Sequence, residues 1–284
     1  MMTLFRILFS VFAVCVVAAC ARPTASALKP QVSVSIPVVG YFIDRIAGDK
    51  IDVNVMIPQS VGHSDYIPLP SQMLAVANSD AYFAIGNLDF EIAWKDRICD
   101  ANKAMKWVSL NDNIKIINDL SDHHHGGSDP HYWMSPIRAK DLSANILREV
   151  KLLIPNDVQS LDSAYAELCA DIDSLDSGFR ALQRENGSLS FLIYHPALTY
   201  LAEDYGFSQF EIEHDGNAPS PQTYIEQLER ARQTGARVVF VQPGYDVQKA
   251  QTAAESLGAQ VVQISPESSD WIVTMSLILN ALRQ

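Results

Sequence analysis

The chain has 284 residues, 48% of them hydrophobic, and a formal net charge of -12. That length carries two ordinary domains or one large one, and enough apolar residues for a packed core, so global disorder is excluded. No basic stripe exists to neutralise phosphates, which excludes nucleic acid as a partner.

The first element is a leader. Arg6 stands in a short n-region ahead of an apolar run over 7–19. The run is too short for a comfortable membrane span and has the length of a signal h-region. It ends in Val17-Ala18-Ala19-Cys20, and small residues ahead of a cysteine resemble the bacterial lipoprotein cleavage box. Residues 1–19 therefore read as a signal peptide and Cys20 as the lipid attachment point. Residues 20–31, polar and without a period, read as a tether. A plain secretory signal with an incidental cysteine is the competing reading, and both place the mature protein outside the cytoplasm. Cys99 and Cys169 then remain. An oxidising compartment lets them pair, although two isolated thiols are the plainer reading. No CxxC occurs, so no thiolate metal site is indicated.

Residues 32–155 alternate strands and helices. "VSVSI" (32–36), "VNVMI" (53–57) and "AYFAI" (81–85) read as strands, with a short helix over 41–47 and another through Met73 and Val76 that Ser71 can cap. "WVSL" and "IKIIN" are further apolar runs. This rhythm implies a parallel sheet with helices on its faces, and ligands beyond the carboxyl ends of its strands. From Val158 to Leu182, apolar residues recur in steps of three and four. They mark one face of a helix about 40 Å long, capped by Asn156 or Asp157 and ended by Asn186-Gly187. Residues 156–186 read as a connector packed across two domains; a coiled-coil dimer is the alternative. Over 187–284 the pattern restarts, with strands at "SFLIY", "VVFVQ" and "QVVQI" and helices over 221–234, 247–257 and 271–282. The expected fold is α/β: two similar lobes with parallel sheets, joined by a long helix, with a ligand cleft between them.

Four of the seven histidines fall in "SDHHHGGSDPHYWMSP" (121–136). His63, His131, His195 and His214 each follow a strand or lie in a loop, two from each lobe. Neutral imidazole suits zinc, and three or four such ligands complete a tetrahedral shell. Each histidine alone is also consistent with a turn or strand-end residue, and His214 lies in a solvated acidic loop with Glu213 and Asp215.

The stretches "YFIDRIAGDKIDVNVMIP", "YIPLPSQM", "YFAIGNLDFEIAW", "GGSDPHYWMSP", "YHPALTYLAEDYGF" and "APSPQTYIEQL" together resemble the metal-binding lipoproteins of zinc and manganese ABC importers. The resemblance runs from Val32 to the end. It implies a metal held between the lobes and delivered to a membrane permease, and it carries His131 and His195 onto matching motif positions. Two positions depart from the pattern. The first family histidine falls at Ser64, with His63 one step earlier, and the family's late aspartate falls at Ser265, before Pro266. Asp270 is a nearby alternative. The third ligand falls among Glu213, His214 and Asp215, with His214 preferred. A site short of one carboxylate favours zinc over manganese, which prefers oxygen. His123, His124 and His125, next to two flexible glycines, are an accessory capture loop or solvated residues.

The expectation is a lipid-anchored, monomeric, extracytoplasmic zinc-binding protein, with manganese as the other cargo and an ABC permease as partner. An adhesin on the same fold is the alternative. A zinc hydrolase is disfavoured: the sequence has no HExxH and no GxSxG.

Overall fold

The computed structural model describes residues 29–59, 66–118, 128–213 and 220–284. The N-terminal lobe is built on four parallel strands, β1 (Gln31–Val34), β2 (Asp52–Val55), β3 (Ala81–Ala84) and β4 (Lys106–Ser109), in the order β2-β1-β3-β4. The C-terminal lobe repeats the pattern. Its strands β5 (Ser190–Ile193), β6 (Ser208–Glu211), β7 (Val238–Val241) and β8 (Gln260–Gln263) run in the order β6-β5-β7-β8, all parallel. The central strands β1, β3, β5 and β7 are almost wholly buried, as strands covered on both faces must be. In each lobe the strand order reverses beside the first strand, which opens a crevice at the carboxyl ends.

The N-terminal helices are α1 (Pro37–Ala47), α2 (Pro70–Ala77), α3 (Asp89–Ala101) and α4 (Pro136–Leu153). Three of them begin with proline, whose missing N–H costs nothing in a first turn. This places Ser71 inside α2 and not at its cap; the backbone N–H of Leu69 instead donates to Gln72 Oε1 at 2.8 Å. The "IKIIN" run forms no strand: Ile114 is buried in a loop and Asn118 makes a single antiparallel bridge to Ser128.

Helix α5 (Val158–Asn186) is the expected connector, and Leu161, Leu168, Ile172, Leu175, Phe179 and Leu182 form its buried face. Asp157 precedes it without a side-chain capping bond. Arg45 of α1 reaches Asp171 at 2.6 Å, and Lys140 of α4 reaches Asp173 at 2.6 Å. The C-terminal helices are α6 (Thr199–Tyr205), α7 (Pro221–Gln233), α8 (Val247–Leu257) and α9 (Trp271–Leu282). One hydrophobic core runs from the N-terminal sheet through α5 to α9 and one face of the second sheet. A smaller cluster fills the other face of that sheet. Cys99 on α3 and Cys169 on α5 are free thiols. Among the described residues no helix is long and apolar enough to cross a membrane.

Candidate metal centre

His131 lies in the turn leading into α4 and is 5% exposed. Its position is fixed from several sides. Asp129 Oδ1 accepts the backbone N–H of His131 at 2.8 Å and lies 2.8 Å from its Nδ1. A carboxylate there holds the proton on Nδ1 and makes Nε2 the ring's acceptor nitrogen, the arrangement that outer carboxylates impose on metal-binding histidines. Burial pushes the Asp129 carboxyl up, but the His131 charge and hydrogen bonds from His131 and Thr199 outweigh it, and the net shift is below the ordinary range. The Asp129 carbonyl accepts from Tyr200 Oη at 2.6 Å and from Asn87 Nδ2 at 3.1 Å. Tyr132 donates to the Ile85 carbonyl at 3.0 Å, which ties the turn to the end of β3.

That end of β3 is itself held by Glu91. Its carboxylate accepts from the backbone N–H of Ile85 at 2.8 Å, from that of Gly86 at 2.6 Å, and from the Ser35 hydroxyl. Gly86 has φ +109°, and a Cβ there would collide with the Asn111 side chain. Burial pushes Glu91 up to about 7, against the pull of those donors.

His195 lies two residues beyond β5, at the crevice of the second lobe. Gln242, just after β7, clamps its backbone: Nε2 donates to the His195 carbonyl at 2.6 Å, and Oε1 accepts the His195 N–H at 3.3 Å. The ring stacks on Tyr245, with centroids 5.6 Å apart and planes 14° apart. Its Nδ1 is buried with no hydrogen-bond partner, and Glu213 Oε1 stands 3.7 Å away. Glu213 is itself buried.

The two imidazoles meet across the cleft. Their centroids are 5.4 Å apart and their planes 74° apart. Two imidazoles sharing one tetrahedral ion at Zn–N distances of about 2.0–2.1 Å have centroids about 5.2 Å apart. The observed separation therefore matches a shared ion. Among the described residues no group of three or more His, Cys, Asp or Glu side chains is placed to hold a metal ion.

Glu267, absent from the sequence expectations, lies within electrostatic reach of His195. It lies in the loop after β8, is partly buried, and carries a carboxyl that burial pushes up to about 7 while the His195 charge pulls it down. Asp270 is not brought to the pair. It is exposed and caps α9, accepting the Val273 N–H at 3.4 Å, because the loop turns outward after Ser268. His63, His123, His124, His125, His214, Asp215 and Cys20 lie outside the described residues.

A family model described as zinc-uptake complex component A, periplasmic, matches residues 32–284. The chain belongs to this family. The high-affinity zinc uptake system protein ZnuA of Bacillus subtilis (strain 168) is 24% identical over 238 residues, which are 77% of this chain and 72% of that protein. The manganese ABC transporter substrate-binding lipoprotein PsaA of Streptococcus mitis is 23% identical over 266 residues, 89% of this chain and 85% of that one. A crystal structure of ZnuA superposes with TM-score 0.80 at 28% identity, covering 89% of this chain and 99% of the other.

In this member of the zinc-uptake family the lobes are braced against each other around the site. Trp133 Nε1 donates to the Pro266 carbonyl at 2.9 Å, and Trp271 Nε1 donates to the Trp133 carbonyl at 2.8 Å. Arg138 of α4 forks onto Asp204 of α6 with two bonds of 2.8 Å, and its guanidinium lies 4.6 Å from the Tyr200 ring centre. Ser135 adds a third bond to Asp204 at 2.6 Å. Bidentate pairs of this kind are the strong, geometrically specific ones.

Proposed function

We propose that the protein captures zinc, with manganese as the other cargo, outside the cytoplasm and delivers it to the permease of an ABC importer. His131 and His195 are the central ligands. His63 and one of Glu213, His214 or Asp215 complete the shell, and His123, His124 and His125 serve as an accessory capture loop. The protein acts as a monomer tethered through lipid on Cys20. It is a binding protein, and no residue is assigned a catalytic role.

The carrying observation is the cross-cleft imidazole pair, 5.4 Å between centroids, each ring held by its own lobe. The names of the relatives support the choice of cargo. Imidazole binds only when neutral, so affinity should fall as the pH drops through the histidine range. Zinc titration tests the reading: the double variant His131→Ala/His195→Ala should lose tight binding. Retention of wild-type affinity by that variant would place the metal elsewhere.

A further inference from the structure

We infer that Glu213 is the positioning carboxylate of His195: it accepts the Nδ1–H of that ring and turns Nε2 toward the metal, without itself entering the shell. This rests on the metal-capture reading above, and it removes Glu213 from the three candidates for the last ligand.

Placement is the first support. Just past β6, the Ile212 N–H donates to the Ile193 carbonyl at 2.9 Å and the Glu213 N–H to the Tyr194 carbonyl at 2.9 Å. The β5–β6 ladder therefore continues beyond its strands and holds Glu213 alongside the residue before His195. Gln242 clamps the His195 backbone and Tyr245 covers a face of the ring. Glu213 faces the remaining side, the Nδ1 edge, and all three come from the lobe that carries His195.

Burial is the second support. The His195 side chain is 17% exposed, yet its Nδ1 is buried and without a hydrogen-bond partner. The accessible part of the ring is thus another edge, and Nδ1 is the nitrogen turned into the lobe. A buried polar nitrogen left in that state is costly. Glu213 Oε1, on a buried side chain, is 3.7 Å from it. Closing that gap by about 0.8 Å makes a charge-assisted hydrogen bond of about 2.9 Å. A cation on Nε2 draws electron density from the ring and makes Nδ1–H the stronger donor that closes it. A ligand role for Glu213 beside Nδ1 would instead seat the ion on the buried edge.

The other lobe shows the same device already closed. Asp129 Oδ1 lies 2.8 Å from His131 Nδ1, with both side chains buried. Each lobe then supplies one imidazole with one carboxylate behind it, which fixes the tautomer and raises the basicity of a metal-binding histidine.

The test compares wild type with Glu213→Gln and Glu213→Ala. Nitrogen NMR of histidine-labelled, zinc-free protein, at a pH where the ring is neutral, reads the His195 tautomer. Zinc competition reads affinity, and Co²⁺ absorption reads the shell. Wild type should show the Nδ1–H tautomer. Glu213→Gln, whose amide oxygen still accepts, should keep that tautomer and lose roughly tenfold in zinc affinity; Glu213→Ala should move the ring toward Nε2–H and lose roughly 100-fold. The Co²⁺ band intensities should stay constant, because the number of ligands does not change. A merely structural role would lower the apo melting temperature and leave the tautomer alone. Metal on Nδ1 of His195, wild-type zinc affinity in Glu213→Gln, an unmoved tautomer in a folded Glu213→Ala, or Co²⁺ bands of a changed coordination number would each overturn the inference. Failure of wild type to bind zinc at all would overturn the metal-capture reading itself, a distinct outcome.

Discussion

Asp129 offers a graded test of how the site is held. Its Oδ1 serves both the backbone N–H and the Nδ1 of His131 at 2.8 Å. Asp129→Asn keeps an oxygen acceptor, and therefore the tautomer and the ring orientation, but removes the charge that makes the imidazole a stronger base. Asp129→Ala removes everything and leaves two buried donors unsatisfied. Outer carboxylates of this kind are worth about 10–100-fold in metal affinity. The Asn variant should therefore lose roughly tenfold, or about 1.4 kcal/mol, and the Ala variant roughly 100-fold, about 2.8 kcal/mol. The apo protein should also suffer in the Ala variant, since each unsatisfied buried donor costs about 1–3 kcal/mol. The assay is zinc competition with a chromophoric chelator at fixed pH, paired with thermal melts of apo protein. Affinities of both variants within twofold of wild type would refute the idea that Asp129 orients and activates His131.

Further expectations concern the frame around the site. Asp204→Asn leaves buried Arg138 with Glu203, at 3.5 Å, as its remaining carboxylate and should destabilise the fold by about 1.5–3 kcal/mol in denaturant titration; a loss under 1 kcal/mol would show that the lobes are braced elsewhere. Gly86→Ala forces a side chain onto positive φ and into Asn111, and should cost about 1–3 kcal/mol in the same assay. Glu91 has a folded pKa of about 7, above its unfolded value of 4.5, so the native state holds the proton longer. Its contribution to stability is complete below pH 4.5 and is lost as the pH rises to about 7, by up to ~3 kcal/mol. Glu91→Gln should flatten the stability–pH curve between those limits, and an unchanged slope would contradict the assignment. Zinc at about 1,000 times its dissociation constant should stabilise the protein by ~4 kcal/mol, reversibly with chelator.

The fold was legible where burial leaves a strong pattern. Strands β3, β5 and β7 are short, mainly apolar runs bounded by loop residues, β1 alternates valine with serine, and the α5 seam repeats over four heptads. Weakly patterned elements escaped. Helix α3 buries only Phe90, Glu91 and Ile98, β6 reads Ser-Gln-Phe-Glu, and α6 has seven residues. The "IKIIN" run misled because its isoleucines pack from a loop and not from a ladder. His131 and His195, whose rings the structure sets 5.4 Å apart, stood out in the sequence because their neighbours form dense local motifs. The position of Glu267 was not legible, because the loop that carries it is held by a hydrogen bond between Trp133 and Pro266, far apart in the chain. Asp270 was drawn in by proximity in sequence, but its side chain is used as a helix cap.

Anomalous diffraction at the zinc edge, from crystals of the zinc-loaded protein, tests the central claim most directly. One ion should appear in the cleft, with Nε2 of His131 and a ring nitrogen of His195 each about 2.0–2.1 Å away. An ion bound by only one of these rings, or by neither, would contradict it.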